Sequence, residues 1–418
     1  MLAASRRALT SLPTTAAKAS YATAAATQGV QISTAKNGIK VASIEEPGQT
    51  AGLAVVVNGG SRLENDKHPG VAHYLKNYGF KNNANRTAFR IAREAELAGA
   101  ILSSNLSHES IVYASEFLSG DAEQFAEIVG DVVSKQKFQD HEFVDVRKQT
   151  LAESANAFAT CEIATIEAAH KAAFRKGLGN SIFAKPSAHI DNAAVKAYAN
   201  ELFLQNNVAL VGSGIEHGEL ERLAETYFNL PAGEAPLQAS KYHGGETRIE
   251  SVTDKGSYVI AFEGAPLNSA EYAAAQVLRY ALGGEQTIKF HPSSGLLAQA
   301  ASKFSDATQL KAFNFGYSDA GLFGVYVSAP AADASAATAA AAEQLSAVAK
   351  GLSQEELARA IAQAKFAAVA NVETRLDRLE SVGVQALQSG KYTTASELAA
   401  VYGKLSAADV AKVKNWKL

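Results

Sequence analysis

The order of apolar strands and amphipathic helices in this 418-residue chain runs through once and then runs through again, at a period of roughly two hundred residues. In the first pass, Gly29-Val-Gln-Ile-Ser33 and Ile39 to Ile44 alternate apolar and polar around Lys36-Asn-Gly38, which predicts a hairpin. Ala51 to Val57 is a continuously apolar strand closed by Asn58-Gly-Gly60, and a helix follows His68-Pro-Gly70. A second helix (Ala88 to Ala98), strands at Ala100–Ser107 and Glu109–Leu118, and a helix from Asp121 to Lys135 come next. A long helical region from His141 to Arg175, a helix near Asn192–Leu204 and a strand at Val208–Gly212 complete the pass. After a Pro- and Gly-rich junction from Leu230 to Gly245, Tyr258–Gly264 answers the first central strand and Glu271–Leu282 answers its helix. Strands at Leu310–Tyr317 and Gly321–Val327, a helix at Ala334–Lys350 and helices within Ser353–Gly390 repeat the remainder, and Ser353 with Glu356 predicts a capping box. Thr393 to Leu418 closes the second half. Such a repeat predicts two like domains, 26–229 and 251–418, joined by a linker at 230–250.

Net charge is only −3 and the basic residues are scattered, which excludes the basic face that nucleic-acid binding needs. The single cysteine, Cys161, excludes a disulfide framework and a multi-cysteine metal site, and is predicted to sit in a core. No uninterrupted apolar run approaches a bilayer span; the Ala-rich stretch from Ala329 to Ala349 carries Pro330, Asp333 and Glu343. The first acidic residue is Glu45, whereas Arg6, Arg7 and Lys18 punctuate an Ala/Ser/Thr-rich leader with Leu2, Leu9 and Leu12 on one helical face. That pattern predicts a mitochondrial transit peptide over about 1–25.

The helix after Gly70 reads Val-Ala-His73-Tyr-Leu-Lys76-Asn77. In an inverted zinc motif, H-x-x-E-H, two histidines four apart grip the metal and the glutamate activates its water. Here Lys76 stands at the base position and Asn77 at the second ligand position. A cation cannot take a proton from metal-bound water, and an amide oxygen is a poor zinc ligand beside imidazole. Taken alone, His73 on an apolar helix reads as a core or interface histidine.

The context supplies more. Asn58-Gly-Gly-Ser-Arg-Leu-Glu64, Gly70-Val-Ala-His73, Phe80-Lys81 and Glu94-Ala-Glu-Leu-Ala-Gly-Ala100, in that order and spacing, resemble the pitrilysin and mitochondrial processing peptidase family. The resemblance implies an α+β fold of two homologous domains, each a mixed β-sheet flanked by helices, closing into a clam-like half shell. It matches Glu153, in Arg147-Lys-Gln-Thr-Leu-Ala-Glu153, to the distal zinc ligand; otherwise Glu153 reads as a solvated helix carboxylate, and on both readings it is a spectator. The implied site keeps His73 and Glu153 but has Lys76 and Asn77 where base and second histidine belong, so no metal and no proteolysis are expected. The second-domain Arg and Tyr that hold substrate in the family are also missing after Ser294-Gly-Leu-Leu-Ala298, with Lys303 only a surface charge.

Two inactive kinds of member then compete. A presequence-binding alpha subunit carries a long glycine-rich loop, whereas Leu282-Gly-Gly-Glu-Gln-Thr-Ile-Lys-Phe-His-Pro292 predicts only a turn. The pattern of losses better resembles the non-catalytic core subunits of ubiquinol–cytochrome c reductase. That implies pairing with core protein 1, peripherally on the matrix face of the inner membrane. The implied assembly is a dimeric complex with cytochrome b, cytochrome c1, the Rieske protein and small subunits. It also implies no cofactor in the chain itself, in keeping with the absence of a haem-type Cys-x-x-Cys-His.

Overall fold

The computed structural model describes residues 29–250, 253–286 and 293–411; the expected transit peptide lies outside them. In chain order the first half contains β1 (Val30–Thr34), β2 (Lys40–Ile44), β3 (Thr50–Asn58), α1 (Val71–Asn77), α2 (Ala88–Ala98), β4 (Ile101–Leu106) and β5 (Ser110–Leu118). It continues with α3 (Ala122–Ser134), α4 (Asp140–Phe158), α5 (Cys161–Phe174), α6 (Asn192–Leu202), β6 (Val208–Ser213) and α7 (His217–Tyr227). The second half holds β7 (Lys255–Gly264), α8 (Ala270–Leu282), α9 (Leu296–Ala301), β8 (Gln309–Gly316), β9 (Gly321–Pro330) and α10 (Ala334–Lys350). It ends with α11 (Gln354–Ala370), α12 (Arg375–Ser389), α13 (Ala395–Gly403) and α14 (Ala407–Ala411).

The first sheet runs β1-β2-β6-β3-β5-β4 and is mixed, because β2 and β6 are parallel while the other neighbours are antiparallel. Central β3 is apolar throughout for a physical reason. Leu53, Val55 and Val57 face one core with α1 and α3, while Ala54 and Val56 face a second core with Leu379, Val382 and Ala386 of α12. Both faces are covered, so alternation disappears. The second sheet, β7-β9-β8, has three antiparallel strands among the described residues. The expectation of a mixed sheet in each half therefore applies to the first sheet, while what is described of the second is antiparallel.

Each sheet is covered on one face by a helix from the opposite half. α12 lies on β3 and β6, and Gly383 permits the approach: a Cβ there would sit 2.4 Å from Val56 Cγ2. Reciprocally, Ala173 and Phe174 of α5 pack with Phe313, Leu322 and Tyr326 of the second sheet. Arg375 and Arg378 of α12 reach back to Glu46, and Lys40 Nζ caps the end of α12 at the Ala386 and Leu387 carbonyls.

Some local expectations need amendment. The long helical region breaks at Ala159–Thr160 into α4 and α5, where Thr160 adopts an extended backbone. Helix α7 has no counterpart in the sequence reading; its charged His217-Gly-Glu-Leu-Glu-Arg surface hides the buried Leu220, Leu223 and Ala224. Cys161 is half-buried at the first turn of α5 rather than in a core. The capping box of Ser353 and Glu356 is formed.

Candidate functional site

Helix α1 is preceded by its N-cap Gly70, whose backbone is left-handed (φ 93°) and where a Cβ would stand 2.6 Å from Ala184. Val71, Ala72, Tyr74 and Leu75 are buried in the core, and the adjacent face carries His73, Lys76 and Asn77 toward α4. From α4, Gln149, Thr150, Glu153 and Ser154 meet them, four apart and so on one face.

All four singled-out residues come together on one carboxylate. Glu153 Oε2 receives His73 Nε2 at 2.8 Å, Lys76 Nζ at 2.9 Å and Asn77 Nδ2 at 3.1 Å, while Oε1 receives Gln149 Nε2 at 2.9 Å. The Ala184 N–H donates to His73 Nδ1 at 3.3 Å, which makes Nδ1 the acceptor and leaves the proton on Nε2, pointing at Glu153. Asn77 also donates to Thr150 Oγ1 at 2.9 Å and accepts from Gln149 at 3.3 Å.

The electrostatics follow from this geometry. Burial alone would push the Glu153 carboxyl up, but the Lys76, Gln149, His73 and Asn77 donors outweigh it and hold the group down to about 2. Burial, with the Lys76 charge, keeps His73 below the usual imidazole range despite Glu153 beside it. Glu153 is thus an ionised hub and His73 a neutral donor. The solvated-carboxylate reading of Glu153 does not survive, because four donors converge on it; it ties α1 to α4.

A zinc ion, which the peptidase relatives' motif would bring, does not fit this residue set. The only imidazole presents N–H rather than a lone pair, and an ammonium stands against the one carboxylate. Among the described residues no three His, Cys, Asp or Glu side chains converge as a metal cage. A carboxylate with four donors is also a poor general base, because its lone pairs are already engaged.

After α8, Gly283 (φ 65°) and Gly284 (φ 89°) both take positive φ, the Gly284 N–H donates to Ser294 O and the Ala312 N–H donates to Gly283 O. Residues 287–292 of that stretch lie outside the described set. Lys303 is exposed after α9. Sequence reasoning missed the seam between the halves. There Arg62 meets Glu109 and Asp319, and His108 stacks on His170 with ring centroids 4.9 Å apart. The available signal was Arg62 itself, inside the Gly60–Glu64 block.

Comparison with known proteins places this geometry in a lineage. Residues 40–186 match the insulinase (peptidase family M16) model, and residues 189–364 match the peptidase M16 inactive domain. A Cryptococcus neoformans protein named cytochrome b-c1 complex subunit 2, mitochondrial, is 34% identical, over 89% of this chain and 88% of its own length. A probable mitochondrial-processing peptidase subunit alpha-1 of Arabidopsis thaliana is 30% identical, over 91% of this chain and 78% of its own length. Among solved structures, a chain of complex III2 from Candida albicans with Inz-5 bound superposes with a TM-score of 0.79 at 20% identity, covering 92% of each chain, which speaks to the fold alone. The chain belongs to the M16 (insulinase) peptidase family, among the relatives named cytochrome b-c1 complex subunit 2.

Proposed function

We propose that this chain is the core protein 2 of mitochondrial ubiquinol–cytochrome c reductase: a non-catalytic, architectural subunit associated with the inner membrane. The observation that carries the non-catalytic part is the Glu153 hub, where Lys76 stands against the carboxylate and His73 directs its N–H there. His73, Lys76, Asn77 and Glu153 are, on this reading, the vestigial positions of a zinc site now used as a helix clamp. The chain would pair with core protein 1 on the matrix face and support cytochrome b, cytochrome c1 and the Rieske protein. No helix among the described residues is long and apolar enough to cross a membrane, which fits peripheral attachment. The halves at 26–229 and 251–418 would act as one body through their exchanged helices.

The test is native electrophoresis of gently solubilised mitochondria, probed for this chain and for haem b absorbance. Migration in a large haem-containing assembly supports the reading. Migration as a soluble heterodimer without haem would replace it with the processing-peptidase alpha subunit.

A further inference from the structure

Arg62 plays no part in the Glu153 hub, yet its side chain makes four hydrogen bonds at the seam between the halves. Its side chain is 2% exposed. Nη1 donates to Glu109 Oε1 at 2.5 Å and to Ser318 Oγ at 2.9 Å; Nη2 donates to Asp319 Oδ2 at 2.6 Å and to the Gln238 carbonyl at 2.9 Å. These partners come from three places: Glu109 from the first half, Ser318 and Asp319 from the β8–β9 turn of the second, and Gln238 from the linker.

The turn is held at every residue that faces the first half. Tyr317 donates its hydroxyl to His170 Nε2 at 2.7 Å, because His170 Nδ1 already donates to the Ile166 carbonyl at 2.8 Å. Ser318 gives both its N–H (2.9 Å) and its hydroxyl (2.6 Å) to the Glu109 carboxylate. Asp319 accepts the Ser240 N–H at 2.7 Å as well as Arg62. Closure by Tyr317 N–H to Ala320 O at 2.9 Å keeps the turn tight. Three consecutive residues of one half are thereby plugged into the other.

We propose that Arg62 is the positioning residue that fixes the angle between the two halves, by locking the Tyr317–Asp319 turn onto Glu109 and the linker. The exchanged helices α5 and α12 meet their sheets through ion pairs (Arg375 and Arg378 to Glu46, Lys311 to Glu162) that are more open to solvent than the Arg62 cluster, and through apolar contacts, which are non-directional and tolerate small sliding. A planar guanidinium with its donors in a fixed fork does not. For a subunit whose role is its shape, this angle is what partners meet. The inference stands on the seam geometry alone and holds whichever assembly the chain joins.

The test uses the full chain carrying Cys161→Ser, with spin labels at Glu96→Cys on α2 and Glu355→Cys on α11, both exposed. Pulsed dipolar spectroscopy reads the distance between the halves. Arg62→Ala is expected to displace and broaden the distribution. Arg62→Lys is not expected to restore it, because one ammonium cannot span two carboxylates and a carbonyl in the same geometry. The control is Arg86→Ala, another well-buried arginine, whose partners Glu94, Glu127 and Asp131 all lie in the first half. That variant is expected to lower the melting midpoint and leave the distance alone. A wild-type distribution in Arg62→Ala, or an equal displacement in Arg86→Ala, overturns the proposal. If Arg62→Ala does not fold, Asp319→Asn and Ser318→Ala, which keep Arg62 paired with Glu109, carry the same measurement with the same two outcomes.

Discussion

Lys76 Nζ lies 2.9 Å from Glu153 Oε2, on the same oxygen that His73 reaches at 2.8 Å. The lysine thus supplies a tethered positive charge between α1, which carries His73, and α4, which carries Glu153. Removing it by Lys76→Met keeps the aliphatic stem but leaves a partly buried carboxylate without its cation. Such pairs fall between exposed ion pairs and fully buried ones, so a loss of about 1–2 kcal/mol is expected. The urea midpoint of the variant reads this directly, and an unchanged midpoint would show that the clamp does not hold α1 to α4.

Zinc affinity should depend on two side chains. In the unmodified chain, metal analysis after purification is expected to find no stoichiometric zinc. Lys76→Glu together with Asn77→His removes the ammonium and adds an imidazole one helical turn from His73, giving two His and Glu153. Bound zinc is then expected, and each single variant should fall short. Stoichiometric zinc in the unmodified protein would sink the reading of these positions as vestigial.

Acid should unfold the protein partly through this hub. Glu153 is held near 2 in the fold against an ordinary value of 4.5, so the folded state binds fewer protons between those values. Its contribution is complete above about 4.5 and is lost as pH falls toward 2. His108 acts in the same direction over a higher window: burial, with His170 beside it, lowers it from 6.5 to about 3, so stability falls as pH drops below 6.5. Each group contributes a slope of at most about 1.4 kcal/mol per pH unit inside its window. Glu153→Gln should reduce the slope of the stability profile below pH 4.5, leaving what His108 contributes down to about 3, and should change the slope from 6.5 to 4.5 less; a larger change in the upper window would assign the acid sensitivity elsewhere.

The legible parts of this fold were those with local signals. Helix α10 (Ala334–Lys350) and helix α2 (Ala88–Ala98) match their expected bounds, because Gly, Pro and cap residues mark their ends. The four positions of the Glu153 hub were identified by helical spacing and by resemblance, but their mutual bonding was not: that Lys76 would face Glu153, rather than water, depends on how α1 meets α4. Helix α7 was lost because its polar face dominates a short stretch. The exchange of α5 and α12 was invisible, since an amphipathic pattern says that a helix is covered and not by which sheet. Arg62 stands in the Gly60–Glu64 block, yet its partners lie up to 257 positions away in the chain, and no spacing rule reaches that far.

The helix exchange makes Gly383 a sharp probe of the whole architecture. In an isolated helix, Gly→Ala stabilises by about 1 kcal/mol through backbone entropy. Here a Cβ would stand 2.4 Å from Val56 Cγ2 and 2.9 Å from Val211 Cγ2, two side chains fixed in central strands of the first sheet. Neither neighbour is the free end of a flexible chain, so α12 must lift from β3 and β6. The overpacking cost of about 1–3 kcal/mol should therefore outweigh the helix gain, and Gly383→Ala should destabilise. Because α12 belongs to the second half and its seat to the first, both halves should lose stability together. Denaturation of the full chain, followed by hydrogen exchange at β3 and β9, reads both sheets: weakened protection in each is expected. A stabilised variant, or weakening confined to β9, would mean that α12 does not seal the first sheet.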